Sequence, residues 1–321
     1  SGAGHPGYGT DGQATTTALA DEERSALSDG GGLRAERDYA TRRQQDLDDF
    51  LTKSRQEKLE IFEALYADKD YELVSDLAFA ASQSDPEDPA PYHWMALSAL
   101  ERGNHGNART LFTLTLKRDP EFMPSLAKLA ELEFLAGKHE SARELFERAL
   151  KLDGDDEQPR LGLARLDIVA KDWASAKSRI AQVRQARPNS IDVLLVEAEL
   201  AKMRGLVSKR LEILNQIIAV DINSVDARMQ IAQTLMSERR YQEAGDLLKE
   251  VTLIDPYHIG ALLLLSEMQF RTGDLDISYD TVSRARDLRP DDPEVLSAMK
   301  IAERRRQNSA SANSQRPGQR K

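Results

Sequence analysis

The sequence predicts an all-α fold, a solenoid built from short paired helices. Three observations lead to this prediction. In residues 123–156, apolar residues recur three and four positions apart in two segments separated by Gly137. The landmarks of this unit recur at a fixed step of 34 residues along the chain. Two helices this short cannot bury their own apolar faces, so each pair must pack against neighbours of the same kind.

Two turn positions mark the repeat. The position that ends each unit is most often proline, which cannot continue the preceding helix; it falls at Pro86, Pro120, Gly154, Pro188, Ile222, Pro256 and Pro290. The turn inside each unit is most often glycine, and it falls at Lys69, Gly103, Gly137, Lys171, Gly205, Arg239 and Gly273. Glycine is favoured where φ becomes positive after a helix, so the backbone is expected to do so at this turn.

Further landmarks identify the type of repeat. A small residue stands in the second helix at Ala108, Ala142, Ala176 and Ala244, where helix backbones must approach closely. The unit 89–122 shows the fullest pattern, with Tyr92, Met95, Ala96, Ala99, Ala108, Phe112 and Pro120. This spacing resembles the tetratricopeptide repeat (TPR) family, whose signature is W-x2-L-G-x2-Y, A-x3-F and P over 34 residues.

The resemblance implies a right-handed α-solenoid of seven TPR helix pairs with N- and C-terminal capping helices. The seven units are 55–88, 89–122, 123–156, 157–190, 191–224, 225–258 and 259–292. Some positions depart from the family pattern. Arg210 stands where a small residue is expected, and Arg160 and Arg228 replace large apolar residues, so we expect altered packing at these sites.

The regions outside the repeats differ in composition. Residues 1–32 are rich in Gly, Ser and Thr and are predicted to be a disordered tether. Residues 33–54 are predicted to form an N-terminal capping helix that docks through Leu47, Phe50 and Leu51. Residues 293–308 are predicted to form a C-terminal capping helix, whose last residues, Arg304 to Arg306, would suit the helix dipole. Residues 309–321 are predicted to be a disordered basic tail.

Composition and motifs exclude several functions. The net charge of −10 argues against general nucleic-acid binding. The absence of cysteine excludes disulfides and thiolate metal sites, and no apolar run approaches the length of a membrane span. The five histidines form no H-E-x-x-H motif. We therefore predict that the chain is not an enzyme and has no catalytic residues, no metal site and no cofactor.

The family resemblance implies that the first helices of the repeats line a concave groove. In repeats four to seven the groove positions form an apolar strip, which suits an amphipathic helix or an extended peptide of a protein partner. The predicted partner-binding residues are Trp94, Leu161, Arg165, Leu195, Val196, Glu199, Met229, Gln233, Leu263, Leu264 and Glu267. The alternative is that superhelical curvature, or the chain's own termini, cover the strip.

These features predict a protein–protein interaction scaffold. The chain resembles the TPR lipoproteins of the bacterial envelope, pilotin-like proteins among them, which implies support of a pilus or secretion-type assembly. The chain begins at Ser1 and its first methionine is Met95. We therefore expect a removed upstream segment, a possible lipid anchor before Ser1, and a place at the periplasmic face of the outer membrane. The alternatives are a soluble cytoplasmic TPR adaptor and the non-catalytic arm of a larger enzyme.

Overall fold

The computed structural model of the chain describes residues 45 and 47–314, with side chains as far as residue 308. In this part of the chain all regular secondary structure is helical and there is no strand. The chain divides into two compact units, one ending at Ala136 and the other beginning at Gly137. The predicted tether 1–32 and the last residues of the tail, 315–321, lie outside the described residues.

In its described residues the first unit contains a short helical segment over residues 47–52 and five longer helices. These helices are α1 (Arg55–Ala67), α2 (Tyr71–Ser84), α3 (Pro89–Glu101), α4 (His105–Arg118) and α5 (Met123–Leu135).

The second unit contains ten helices in its described residues. They are α6 (His139–Leu152), α7 (Glu157–Val169), α8 (Trp173–Ala186), α9 (Ile191–Met203), α10 (Val207–Val220), α11 (Val225–Ser237), α12 (Tyr241–Ile254), α13 (Ile259–Thr272), α14 (Leu275–Leu288) and α15 (Pro293–Ser314). Each first helix of a repeat begins at the first residue of a predicted 34-residue unit.

The turns inside the repeats adopt the predicted backbone conformation. The φ angle is positive at all seven positions, including the three that are not glycine: 63° at Lys69, 61° at Lys171 and 60° at Arg239. Residues with a Cβ rarely adopt this left-handed backbone conformation. The repeat geometry therefore imposes the turn even where the sequence does not provide glycine.

Local capping explains where several helices begin. The Ser54 side chain accepts a hydrogen bond from the Glu57 amide, and the Glu57 carboxylate accepts one from the Ser54 amide. This reciprocal capping box satisfies two of the amides that a helix N-terminus leaves without partners. Asp156 and Ser190 cap α7 and α9 in the second unit through their side-chain oxygens.

A close helix contact positions α7 against α6. Gly162 of α7 lies under the ring of Phe146, and a Cβ built on Gly162 would be 2.3 Å from Phe146 Cζ. Phe146 itself is 2% exposed. The glycine therefore makes room for the large residue that the preceding repeat buries.

Capping segments cover the first and the last repeats. Phe50 is buried, and its ring centroid lies 5.5 Å from that of Phe62 in α1, as the predicted N-terminal cap requires. Residues 33–44 and residue 46 of that predicted cap lie outside the described residues. At the other end of the chain, α15 buries Val295, Met299 and Ala302 against α13 and α14.

The C-terminal helix is longer than predicted. It continues to Ser314 rather than ending at residue 308, so residues 309–314 are helical instead of part of a disordered tail. The prediction that Arg304 to Arg306 end the helix is therefore wrong. Arg305 and Arg306 lie within the helix and pair with Glu267 and Asp276 of the last repeat. These ion pairs connect α15 to α13 and α14.

Two of the three arginines that depart from the repeat pattern pair with acceptors at the edge of the core. Arg228 is 7% exposed, and its Nε lies 3.2 Å from the Glu250 carboxylate. Arg160 donates to Gln182 Oε1 at 2.6 Å and to the Gly154 carbonyl. In each case the aliphatic stem replaces the expected apolar side chain while the guanidinium finds acceptors.

Candidate functional site

The predicted groove residue of the first unit lies in an aromatic cluster. The Trp94 ring centroid is 5.8 Å from that of Phe62, 5.7 Å from Tyr66 and 6.0 Å from His93, and Trp94 is half-buried. His93 is buried, and its Nδ1 lies 2.8 Å from Ser125 Oγ. Burial, with a smaller contribution from the nearby Lys128, lowers the pKa of His93 to about 4. His93 is therefore a neutral packing residue at pH 7.

Two of the predicted groove residues in the second unit belong to its core. Leu161 is 3% exposed and Val196 is fully buried, and both pack with Ala164, Ile180 and Leu200. The prediction that these two side chains face a partner needs correction. The helices α7 and α9 are apolar on more than one side, and neighbouring helices of the array cover the additional side at these positions.

Three other apolar residues of the predicted strip remain partly exposed. Leu195, Met229 and Leu264 come from α9, α11 and α13, the first helices of successive repeats. Each packs on one side against the largest core cluster of the unit and is half-buried. We call these three residues the apolar face. The polar side chain of Gln233 on α11 is exposed.

The chain's own C-terminal helix packs against two of the three predicted groove residues of the last repeat. Leu263 packs into the clusters that contain Val295 and Met299 of α15. Arg305 Nη1 lies 2.8 Å from Glu267 Oε2, and its guanidinium carbon lies 3.5 Å from the centroid of the Phe270 ring. The alternative that a terminus covers the strip therefore applies to Leu263 and Glu267.

Two charged residues predicted at the rim of the groove pair with each other. Arg165 Nε on α7 lies 3.5 Å from Glu199 Oε2 on α9, and both side chains are about one-third exposed. An ion pair at this exposure contributes little to stability, so both groups can exchange partners at small cost.

Sequence reasoning identified Arg210 as a departure from the repeat pattern but did not include it among the site residues. Arg210 of α10 is 8% exposed. Its Nη1 donates to Thr234 Oγ1 at 2.6 Å and its Nη2 donates to Gln230 Oε1 at 3.4 Å, whereas its buried Nε has no acceptor. Burial lowers the pKa of Arg210. The signal was present in the sequence, because a cation occupies the position where the repeat pattern calls for a small residue.

Two negative findings hold for the described residues. In residues 45 and 47–314 no group of three His, Cys, Asp or Glu side chains is placed to hold a metal ion. None of the helices in this part of the chain is long and apolar enough to cross a membrane.

Comparison with known proteins places the repeats in a family. Two family models, each described as a tetratricopeptide repeat, match residues 133–200 and 235–301 in one case and residues 95–157 in the other. Together they cover more than half of the chain. No curated protein shows a significant match to the chain.

Solved structures share the fold at low sequence identity. A tetratricopeptide repeat protein from Parabacteroides merdae is 16% identical with a TM-score of 0.57, and the match covers 77% of this chain and 98% of that one. PilW, described as a widely conserved type IV pilus biogenesis factor, is 16% identical with a TM-score of 0.54, covering 66% of this chain and 98% of PilW.

A chain of the APC/C hetero-tetramer Cut9–Hcn1 is 12% identical with a TM-score of 0.58, over 75% of this chain. The match spans only 48% of that longer chain. These likenesses concern the fold alone. The family models, the unbroken 34-residue step of the helices and the all-helical fold agree, and the chain belongs to the tetratricopeptide repeat family.

Proposed function

We propose that the chain is a protein–protein interaction scaffold that binds a peptide or helix of a partner on the apolar face of its second unit. The observation that carries this proposal is the partial exposure of Leu195, Met229 and Leu264 on three successive first helices. Isolated exposed apolar residues are common, but a row repeated on neighbouring helices is typical of an interaction surface.

The polar surroundings of the apolar face suit a partner segment that is apolar on one side. Gln233 and the Arg165–Glu199 pair supply hydrogen-bonding and charged groups near the apolar side chains. An amphipathic helix or extended peptide would place its apolar residues on the face and its polar residues toward this rim. Tetratricopeptide repeats act as protein-binding modules, and the fold therefore supports this class of function.

Photo-crosslinking in the native cell tests this surface. With p-benzoylphenylalanine in place of Met229, we expect a covalent adduct with a defined partner. Replacement of Leu253, which is 80% exposed on α12, is the matched control and is expected to give no such adduct. The double substitution Leu195→Glu and Leu264→Glu is expected to abolish the adduct while circular dichroism shows unchanged helix content.

Two results would refute the apolar face as the binding surface. One is the same adduct from position 253. The other is an adduct at position 229 that persists in the folded double variant, because an apolar partner segment would have to bury two carboxylates on binding, which is costly.

We further propose that the scaffold supports assembly of a cell-envelope complex of the pilus or secretion type, at the periplasmic face of an outer membrane. The fold shared with PilW makes pilus assembly the first case to examine. Fractionation of the native cell is expected to recover the protein with the outer membrane, and its deletion is expected to impair pilus or secretion function. Recovery in the cytoplasm would instead favour a soluble cytoplasmic adaptor.

A further inference from the structure

A buried cation without an anionic partner lies beside the apolar face. In the described part of the chain the acceptors of the Arg210 side chain are the Thr234 hydroxyl and the Gln230 amide, both neutral, and no carboxylate forms an ion pair with it. Burial of a charge is costly unless the charge is paired. The repeat pattern places a small residue here, so the fold itself has no need of a cation at this position.

Another buried arginine of the same unit provides the comparison. Arg228 is buried to a similar extent, 7% against 8% exposed, but its guanidinium has the Glu250 carboxylate at 3.2 Å. An arginine can therefore be buried in this array when a carboxylate pairs with it. Arg210 is buried to a similar extent but has no carboxylate partner among the described residues.

The structure defines which edge of the Arg210 guanidinium could donate to a carboxylate. Nη1 is held by Thr234, whereas the opposite edge, formed by Nε and Nη2, has an orphan Nε and a long 3.4 Å contact with Gln230. Arg55 shows what this edge can bind, because its Nε donates to both oxygens of Asp88 at 3.3 Å and its Nη2 donates to Oδ1 at 3.1 Å. Such two-point pairing with a carboxylate is geometrically matched to the guanidinium fork.

Gln230 is the residue that contacts this edge through Nη2. It is half-buried on α11, directly after Met229 of the apolar face, so it connects the buried guanidinium with the proposed binding surface. Its amide oxygen is a weaker acceptor than a carboxylate and its contact is long. Displacement of this one weak contact would free Nη2 for a stronger acceptor.

We propose that Arg210 binds a carboxylate side chain, from an Asp or Glu of a partner segment, that displaces the Gln230 amide while the apolar residues of the segment pack on Leu195 and Met229. This inference rests on the proposed scaffold function and specifies its ligand. The partner segment is thus an acidic residue flanked by apolar residues. The displaced Gln230 remains free to donate its amide hydrogens to the carboxylate or to solvent.

A peptide titration followed by NMR tests the site on the intact chain. The Nε–H resonance of Arg210, assigned by its loss in Arg210→Met, reports on the orphan donor. We expect a saturable shift with the peptide N-acetyl-Leu-Glu-Leu-Leu-amide. The neutral peptide N-acetyl-Leu-Gln-Leu-Leu-amide is expected to bind at least about tenfold more weakly than the Glu peptide, because it cannot form the charge-assisted pair.

A third peptide distinguishes the source of the carboxylate. N-acetyl-Leu-Gln-Leu-Leu carries a carboxylate only at its C-terminus. Stronger binding of this peptide than of the Glu peptide would overturn the assignment to a side chain. Arg228→Met is the matched control variant and is expected to retain the response to the Glu peptide, since Arg228 already has its carboxylate partner.

The substitution Gln230→Glu tests the same idea by supplying the carboxylate from the chain itself. It places a carboxylate where the 3.4 Å amide contact now lies, so we expect a shifted Arg210 Nε–H resonance, a higher unfolding temperature and loss of the response to the Glu peptide. A lower unfolding temperature together with an unchanged peptide response would overturn the proposal. This variant keeps the test decisive even if Arg210→Met fails to fold.

The peptide titration and the crosslinking experiment can give negative results independently, and each negative result refutes a different proposal. If the adduct at position 229 forms but none of the three peptides shifts the Arg210 resonance, the scaffold function stands and the carboxylate site is refuted. If the Glu peptide binds through Arg210 but no adduct forms in the cell, the carboxylate site stands and the proposed scaffold function is refuted.

Discussion

Asp167 on α7 accepts from two arginines of different helices. Its Oδ1 lies 2.9 Å from Arg143 Nη2 on α6, and its Oδ2 lies 2.8 Å from Arg179 Nε on α8. The aspartate side chain is 5% exposed, whereas both arginines are about one-third exposed. One buried carboxylate thus connects two neighbouring repeats, and its charge is compensated twice.

Asp167→Ala is expected to destabilise the second unit. It removes the common acceptor and leaves two partly buried guanidinium groups facing each other, a loss of about 2–4 kcal/mol in the free energy of unfolding. Urea unfolding followed by circular dichroism measures the effect. Asp167→Asn keeps the shape and one acceptor oxygen, so one of the two arginines keeps a partner, and the variant is expected to lose less. Equal stability of the alanine variant and the parent chain would show that the network contributes nothing.

The turn residue Lys171 offers a stabilising substitution. Its φ of 61° is unfavourable for a side chain with a Cβ, and glycine takes the same position in four of the seven repeats. Lys171→Gly is expected to raise the free energy of unfolding by about 0.5–1 kcal/mol, after the entropy that glycine adds to the unfolded chain is deducted.

The reverse substitution is the matched control. Gly205 has a φ of 68° and open space where a Cβ would lie, so Gly205→Ala changes the backbone energy without a clash. We expect it to destabilise the chain by about 1 kcal/mol. A stabilising effect of Gly205→Ala would contradict the explanation for Lys171.

The periodic features of the chain could be predicted from the sequence. The helices begin at the predicted step because apolar spacing and turn residues are local signals that repeat seven times. The positive φ at Lys69 and Lys171 could be inferred from glycine at the equivalent positions of other repeats. Where a single turn has no glycine, the equivalent turns of the other repeats therefore still predict its backbone conformation.

The exposure of the candidate site could not be predicted in this way. Leu161 and Leu195 occupy the same position of their repeats, yet Leu161 is buried and Leu195 is half-buried. Repeat position determines which side of its helix a residue occupies, but the sizes of the neighbouring side chains determine how much surface remains. The covering of Glu267 by Arg305 also depends on a contact across 38 residues, which no local pattern encodes.

Gly162 is expected to be intolerant of even one added methyl group. In Gly162→Ala the new Cβ would lie 2.3 Å from Phe146 Cζ, so either the ring or helix α7 must move. Overpacking of this kind costs about 1–3 kcal/mol. Thermal unfolding measures the loss, and a second substitution, Phe146→Leu, should recover part of it in the Gly162→Ala background although it is destabilising alone. Additive losses in the double variant would show that the two residues do not compete for the same space.

Protonation of His93 is expected to make the first unit acid-sensitive. The folded pKa of about 4 lies below the usual value of 6.5, so between these values the unfolded chain binds a proton that the folded chain does not. The stabilising effect of the neutral, buried imidazole is complete above pH 6.5. As the pH falls toward 4, about 3 kcal/mol of the free energy of unfolding should be lost.

His93→Gln isolates this contribution, because the amide can still bond to Ser125 but does not titrate in this range. Urea unfolding between pH 7 and pH 4 should show a steeper loss of stability in the parent chain than in the variant. The carboxylates common to both chains cancel in this difference. Parallel pH profiles would mean that His93 is protonated in the folded state as readily as in the unfolded state, which its burial among Trp94, Phe112 and Phe122 argues against.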